Sequence, residues 1–255
     1  MPAIAGGTTD VHKPVEKRVK AIILAAGAGT RLRPLTDTCP KPMLPIAGRP
    51  LLARTLDWLR LNEVVEVALN LHHLPEIVRA GLGDGSAWGM RLRYSYEPTL
   101  LGTAGAVRAI ADQYPGWFDQ TFLLLYGDML LNIALPDLFA FHRASGAVLT
   151  LALKRTTMPH TQGMVDIDRT GRVLRFVEKP PAWGGGDLAN AGVYLCEPSV
   201  LQAIPLGVSD FGHDIIPALV AMGASVYGRL TEGYLLDIGT PGAYEQAQRE
   251  WRDPL

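Results

Sequence analysis

The run Ala21-Ile22-Ile23-Leu24-Ala25-Ala26, closed by Gly27-Ala28-Gly29, constrains the fold of this chain more than any other stretch. A short apolar run bounded by glycine suits a strand covered on both faces, as in a parallel sheet flanked by helices. Gly27 and Gly29 carry no Cβ and tolerate positive φ, so backbone N–H groups there can lie against a ligand. Arg31, Arg33 and Lys41 follow, interleaved with Pro34, Pro40 and Pro42, whose fixed φ limits the freedom of the loop. A buried strand, a bare loop and a set of cations describe a polyphosphate site. The string Gly-x-x-x-x-Gly-Lys-Ser/Thr is absent, and Gly27-Ala28-Gly29-Thr30-Arg31-Leu32 has leucine where a dinucleotide fingerprint needs its third glycine. The phosphates are therefore expected on the N–H groups from Ala26 to Thr30 and on Arg31 and Lys41. The competing reading is a tight glycine turn with surface cations.

The totals narrow the class. A chain of 255 residues with 48% hydrophobic residues can bury a substantial α/β core. Lys plus Arg is 24 against 25 Asp plus Glu, so there is no basic footprint for nucleic acid and a phosphate ligand must be met by local cations. No apolar run is long enough to span a membrane, and the first seventeen residues lack a secretory apolar region. Cys39 and Cys196 form neither a metal pattern nor a disulfide framework, which fits a cytoplasmic protein. Residues 1–18 read as a mobile tail and 19–255 as the working domain. His72, His73, His142, His160 and His213 show no ligand spacing.

Helical spacing of leucines predicts a helix over 51–61, and apolar runs predict strands over 63–71, 91–97, 121–126 and 147–153. A short helix is expected from Pro75, and others over 102–114, 136–144 and 243–251. This alternation predicts parallel pairing. Residues 164–168 and 173–177 alternate as a hairpin laid over the sheet, within an insertion at about 160–200. Residues 188–195, 226–230 and 234–236 read as strands, the glycines 184–186 as a flexible loop, and 211–219 as a helix in which Asp214 is a first-turn charge or a cap and not catalytic. Pro241 follows Thr240, a helix N-cap.

Several polar residues stand where chemistry is placed in such folds. Asp128 follows an apolar strand, suited to Mg²⁺ bridging phosphates, or else to a turn or helix cap. Asp237 is a second carboxylate at a strand end, with a structural role as the alternative. Lys179 suits a phosphate and Glu178 sugar hydroxyls, or the two form a solvated pair. Asn190 offers a donor and an acceptor to a sugar, or serves a turn. Gly102 and Gly105 flank Thr103 at a helix start, where a flat ligand could approach first-turn N–H groups, or where glycine permits close packing.

The string Gly27-Ala28-Gly29-Thr30-Arg31-Leu32-Arg33-Pro34-Leu35-Thr36, with Pro40-Lys41-Pro42-Met43-Leu44-Pro45-Ile46 and Gly48-Arg49-Pro50, resembles the signature of the sugar-1-phosphate nucleotidyltransferases, in particular the mannose-1-phosphate guanylyltransferases. The resemblance implies a Rossmann-like α/β fold: a mostly parallel sheet, helices on both faces and a small antiparallel insertion. It implies an NTP and a sugar-1-phosphate as substrates and Mg²⁺ as cofactor. It assigns nucleotide binding to Leu24, Ala25, Ala26, Gly27, Gly29, Thr30, Gly102, Thr103 and Ala104, and catalysis to Arg31 and Lys41. Glu178, Lys179 and Asn190 resemble the sugar-phosphate contacts, and Asp128 and Asp237 the metal ligands. Residues 101–105 after Glu97-Pro98 resemble guanylyltransferases for mannose- or heptose-1-phosphate, while uridylyl- and thymidylyltransferases share the first signature. Longer family members carry a C-terminal β-helix of hexapeptide repeats. No such repeat is present, so neither acyltransferase activity nor the oligomer built on that helix is expected, and a homodimer is left open.

Overall fold

The computed structural model describes residues 19–252. The expected N-terminal tail lies outside the described residues. In chain order the main elements are β1 (Lys20–Leu24), α1 (Leu51–Leu61), β2 (Glu66–Leu71), α2 (Pro75–Leu82), β3 (Arg91–Tyr96), α3 (Gly102–Gln113), β4 (Phe122–Tyr126), β5 (Met129–Ile133), α4 (Leu135–Ser145), β6 (Leu149–Arg155), β7 (Gly163–Ile167), β8 (Val173–Glu178), β9 (Leu188–Cys196), α5 (Ile216–Ala221), β10 (Val226–Leu230), β11 (Gly233–Asp237) and α6 (Pro241–Glu250).

β1 lies at the centre of the large sheet, parallel to both β2 and β4, with Leu24 opposite Asn70 and Tyr126. Its neighbours explain its composition. Ile22 faces a core that includes Val107 of α3, Leu124 and Phe211, while Ile23 faces another that includes Leu56 of α1, Leu69 and Leu125. A strand shared between two cores has no solvent face, and each fully buried isoleucine contributes about 1.5–3 kcal/mol of transfer free energy. The result is the expected α/β arrangement, a mostly parallel sheet with helices on both faces. Among the described residues no helix is long and apolar enough to cross a membrane.

The simple alternation breaks at β9. It runs antiparallel to β4 and β6 and separates them, although β4 and β6 point the same way. The insertion accounts for this. β7 and β8 do not lie over the sheet as expected but extend it at its carboxyl edge, β7 pairing with the start of β9 at Met164 and Ala189; the chain leaving them re-enters from that edge, so β9 must run backwards. A bulge between Asn190 and Tyr194, with Gly192 at φ 71°, lets β9 pass between its partners. The glycine loop is tethered, not free: Trp183 Nε1 donates to Gly186 O at 2.6 Å, and Arg175 stacks 4.0 Å from the Trp183 ring.

A second, two-stranded sheet joins β5 to β11, antiparallel, with Met129 opposite Asp237. Trp58 of α1 donates from Nε1 to Ile133 O at 3.1 Å and packs that sheet against the domain. Arg54, on the same helix, is buried and donates to Ile46 O from Nε at 2.9 Å and from Nη2 at 2.6 Å.

Two buried side chains tie the loops at the carboxyl edge together. Asn70, at the end of β2, accepts from Ala25 N at 2.7 Å and donates to Glu97 Oε1 at 2.8 Å. Glu97 in turn accepts from Leu101 N at 3.0 Å through Oε2. The loop after β1 is thus held to the loop before α3. Truncating Asn70 leaves a buried N–H and a buried carboxylate oxygen unpaired, each costing about 1–3 kcal/mol. Asn70→Ala is expected to lower the unfolding free energy from urea titration by at least one such amount, and an unchanged midpoint would show that the tie is not needed.

His142 of α4 is 2% exposed, its Nδ1 2.7 Å from Thr150 Oγ1 and its Nε2 3.1 Å from Glu197 Oε1. Burial pushes its pKa below the ordinary value. Between that depressed value and about 6.5 the unfolded chain binds a proton that the folded chain does not, so stability falls as pH drops through this window. Melting temperatures across it should decline for the native chain and decline less for His142→Gln.

Candidate active site

A cleft of about 510 Å³ opens at the carboxyl edge of the sheet, between the loop after β1 and the insertion. One end is lined by Leu24, Ala25, Ala26, Gly27, Gly29, Thr30, Arg31 and Lys41, the other by Glu178, Lys179, Asp210 and His213. Gly102, Thr103, Tyr126, Gly127 and Asp128 also line it.

The glycine loop is built as an anion cradle. The backbone N–H groups of Ala26, Gly27, Ala28 and Gly29 make no hydrogen bond to any described residue. Gly29 has φ 63°, and a Cβ there would lie 2.9 Å from Thr36 Cγ2 and 3.0 Å from Lys41 Cβ, so only glycine lets the loop close over Lys41. Thr36 Oγ1 secures the turn by donating to Gly29 O at 2.9 Å. Arg31 is exposed and has no ion-pair partner among the described residues.

Lys41 stands on a single tight turn between Pro40 and Pro42, where Met43 N donates to Pro40 O at 2.7 Å. It is 7% exposed. Its ammonium lies 2.5 Å from Asp128 Oδ2 and 3.7 Å from Asp237 Oδ1. The pairing of β5 with β11 delivers both carboxylates, and Ile238 N donates to Asp128 O at 3.1 Å to complete the approach. Gly239 completes the packing: a Cβ there would lie 2.7 Å from Arg31 Nη2, 2.8 Å from Asp237 Oδ1 and 3.1 Å from Lys41 Nζ. Two cations and two carboxylates distant in sequence therefore meet at one point.

Among the described residues there is no group of three or more side chains able to cage a metal. Two carboxylates at one point still fit a hard cation that takes its remaining ligands from phosphate and water, as Mg²⁺ does. The Lys41 ammonium between them shows that the position accepts positive charge.

At the opposite end, Glu178 packs against Gly163 and Gly212, where a Cβ would come within 2.6 and 2.5 Å of its Oε2. Lys179 adopts φ 43°, a left-handed conformation uncommon for lysine, and its exposed Nζ lies 3.2 Å from Glu178 Oε1. Tyr126 stays protonated because burial raises its pKa far above the ordinary value.

Three of the residues to which the resemblance gives site roles do not line the cleft. Asp237 joins the site through Lys41 and Gly239. Ala104 is buried behind Thr103, and the N–H groups of Ala104 and Gly105 both donate to Ser209 O, at 3.0 and 3.1 Å. Gly102 and Gly105 pack against the backbone of Ser209 and Gly207, so close packing accounts for these glycines. Asn190 donates to Tyr194 OH at 2.5 Å and accepts from Gly192 N at 3.1 Å, which commits both its polar atoms to the bulge.

Asn70, Glu97, Tyr126, Asp210, His213 and Gly239 also line the cleft and were not given roles from the sequence. Asn70 carried a signal, since it ends a parallel strand as Asp128 follows one. Asp210 caps the turn after it, accepting from Gly212 N at 2.8 Å and from Thr103 Oγ1 at 2.7 Å, while Asp214 accepts from Asp210 N at 2.7 Å. Asp214 is thus a reciprocal cap.

Comparison with known proteins gives this geometry a context. A UTP–glucose-1-phosphate uridylyltransferase of Synechocystis is 37% identical over 91% of this chain, and a mannose-1-phosphate guanylyltransferase of Mycobacterium tuberculosis is 38% identical over 88%. The chain spans 63% and 62% of the lengths of these two relatives. Crystal structures of a Bacillus anthracis protein in complex with sucrose (TM-score 0.81, 22% identity, 92% of this chain and 96% of that one) and of HddC from Yersinia pseudotuberculosis (TM-score 0.76, 26% identity, 92% and 100%) share the fold. The family model described as Nucleotidyl transferase matches residues 20–253, and the chain belongs to that family.

Proposed function

We propose that the protein transfers a nucleotidyl group from an NTP to a sugar-1-phosphate, releasing pyrophosphate and giving an NDP-sugar. The observation that carries this reading is the Lys41 ammonium beside Asp128 and Asp237, in a cleft with a glycine loop of unpaired N–H groups at one end and Glu178 and Lys179 at the other. The reaction is an in-line attack of a sugar-phosphate oxygen on the α-phosphorus of the NTP. Such transfers need positioning and charge stabilisation more than covalent help from the protein.

The loop N–H groups and Arg31 bind the β- and γ-phosphates. Lys41 serves the phosphates near the reacting centre, and Lys179 orients the attacking phosphate. Asp128 and Asp237 would hold Mg²⁺, which supplies charge neutralisation across the phosphate oxygens when bound. No side chain is needed as a general base, because the attacking oxygen is already anionic. Leu24 to Thr30, Gly102 and Thr103 form the nucleotide wall, while Glu178 faces the sugar hydroxyls. Asn190 and Ala104 act by holding the bulge and the helix start in place.

For the substrates, GTP with mannose- or heptose-1-phosphate is the preferred pair. It is supported by the name of the Mycobacterium relative and by the HddC structure complexed with GMP-PN, to which this chain is 26% identical. UTP with glucose-1-phosphate is the second reading, supported by the Synechocystis relative.

The test is pyrophosphate release with each NTP against a panel of sugar-1-phosphates, with and without Mg²⁺. GTP with mannose- or heptose-1-phosphate should give the highest kcat/KM, only with metal. Nucleotide binding without turnover on any sugar phosphate would make the protein a nucleotide-sugar sensor instead. Lys41→Ala and Asp128→Asn should each lower kcat by about 10²–10³-fold, as loss of one preorganised charge contact does, with unaltered circular dichroism. Near-normal turnover in either variant would remove the role assigned to it.

A further inference from the structure

We infer that in the nucleotide-free protein the Lys41 ammonium fills the cation position between Asp128 and Asp237, so that a divalent metal enters only as a triphosphate draws Lys41 out. The inference rests on the reading of this site as one for a metal and a triphosphate. It adds an order of events and a device that enforces it.

Four observations carry it. First, Nζ of Lys41 lies within 2.5 Å of one carboxylate and 3.7 Å of the other, so the ammonium occupies the space that an ion shared by both would use. Second, the backbone of Lys41 is fixed by its tight turn and by the close approach of Gly29 to its Cβ. The side chain can swing while the turn stays still. Third, the empty loop N–H groups and the unpaired Arg31 stand beside Lys41 in the same cleft, so an entering polyphosphate meets them and offers Lys41 a competing anion. Fourth, Lys154 of β6 is half-buried, has no ion-pair partner among the described residues, and has Asp237 and Asp128 as its neighbouring charges.

With Lys41 between the two carboxylates, a divalent ion added there meets like charge. A triphosphate reverses this balance. It takes Lys41 as a phosphate partner, vacates the position between the carboxylates and supplies the remaining oxygen ligands. Metal and triphosphate must then each tighten the binding of the other by the same factor.

The test uses Mn²⁺ as the probe, read by loss of its free electron paramagnetic resonance signal, on the full chain without nucleotide. The wild type should show no saturable site over the range in which Lys41→Met, with the position emptied, binds one Mn²⁺ roughly tenfold or more tighter, the scale of a single close charge contact. Lys41→Gln, checked for fold by circular dichroism, should behave like Lys41→Met and guards against a folding defect in one variant. Lys154→Met removes a nearby charge but not the occupant, and should gain far less than Lys41→Met.

Tight Mn²⁺ binding by the nucleotide-free wild type would overturn the inference, as would equal affinities in wild type and Lys41→Met. An equal gain in Lys154→Met would also overturn it, because a general field and not occupancy would then explain the effect. None of these readouts requires turnover. A failed substrate panel with the expected Mn²⁺ pattern would discard the proposed reaction and keep the inference, and the reverse result would do the opposite.

Discussion

Two carboxylates held side by side repel, and their proximity must be stabilised by a cation. Lys41 provides it, at 2.5 and 3.7 Å from Asp128 and Asp237. Much of the architecture can be understood as delivering these three groups to one point. The pairing of β5 with β11 sets Met129 opposite Asp237 and so closes a gap of more than a hundred residues in the chain. The prolines around Lys41 and the Cβ-free Gly29 fix its base, while Gly239 leaves room for Arg31 alongside. A larger residue at either glycine would intrude on the cluster itself.

The cluster is supported by a rigid edge. β1 is sealed between two cores, and its end is pinned through Asn70 and Glu97 to the loop that precedes α3. This rigidity has a functional sense. A loop whose N–H groups are to receive phosphate oxygens must keep them unsatisfied by the protein, and such a loop would drift unless anchored at its ends. Asn70 supplies that anchor at Ala25, one residue before the free N–H groups begin.

What could be read from the sequence was local. β1, the glycine turn and the helix over Leu51–Leu61 were legible because apolar spacing, glycine and proline act within a few residues. Asp128 was visible because a carboxylate directly after a buried strand stands at the edge where ligands collect in open α/β sheets. The pairing of β5 with β11 was not legible, since residues 129–133 gave no turn signal and their partner lies far along the chain. The reversal of β9 was hidden for the same reason, and Arg54, which its spacing placed between apolar positions, is buried by bonds to the Ile46 carbonyl in the preceding loop, which helical spacing does not report. At Gly102 and Gly105, spacing alone left ligand approach and close packing open, and the carbonyl of Ser209 takes the N–H groups of the following turn. Asn190 shows the same limit: its chemistry suits a sugar, and its position commits it to Tyr194 and Gly192.

The account stands on Asp128 and Asp237 acting as one cation site that Lys41 serves and then leaves. Anomalous diffraction from crystals grown with Mn²⁺ and a non-hydrolysable GTP analogue tests this most directly. The account predicts an anomalous peak ligated by both carboxylates, with the Lys41 ammonium moved onto the phosphates. A peak bound to the phosphates alone, with Lys41 still between the two aspartates, would contradict it.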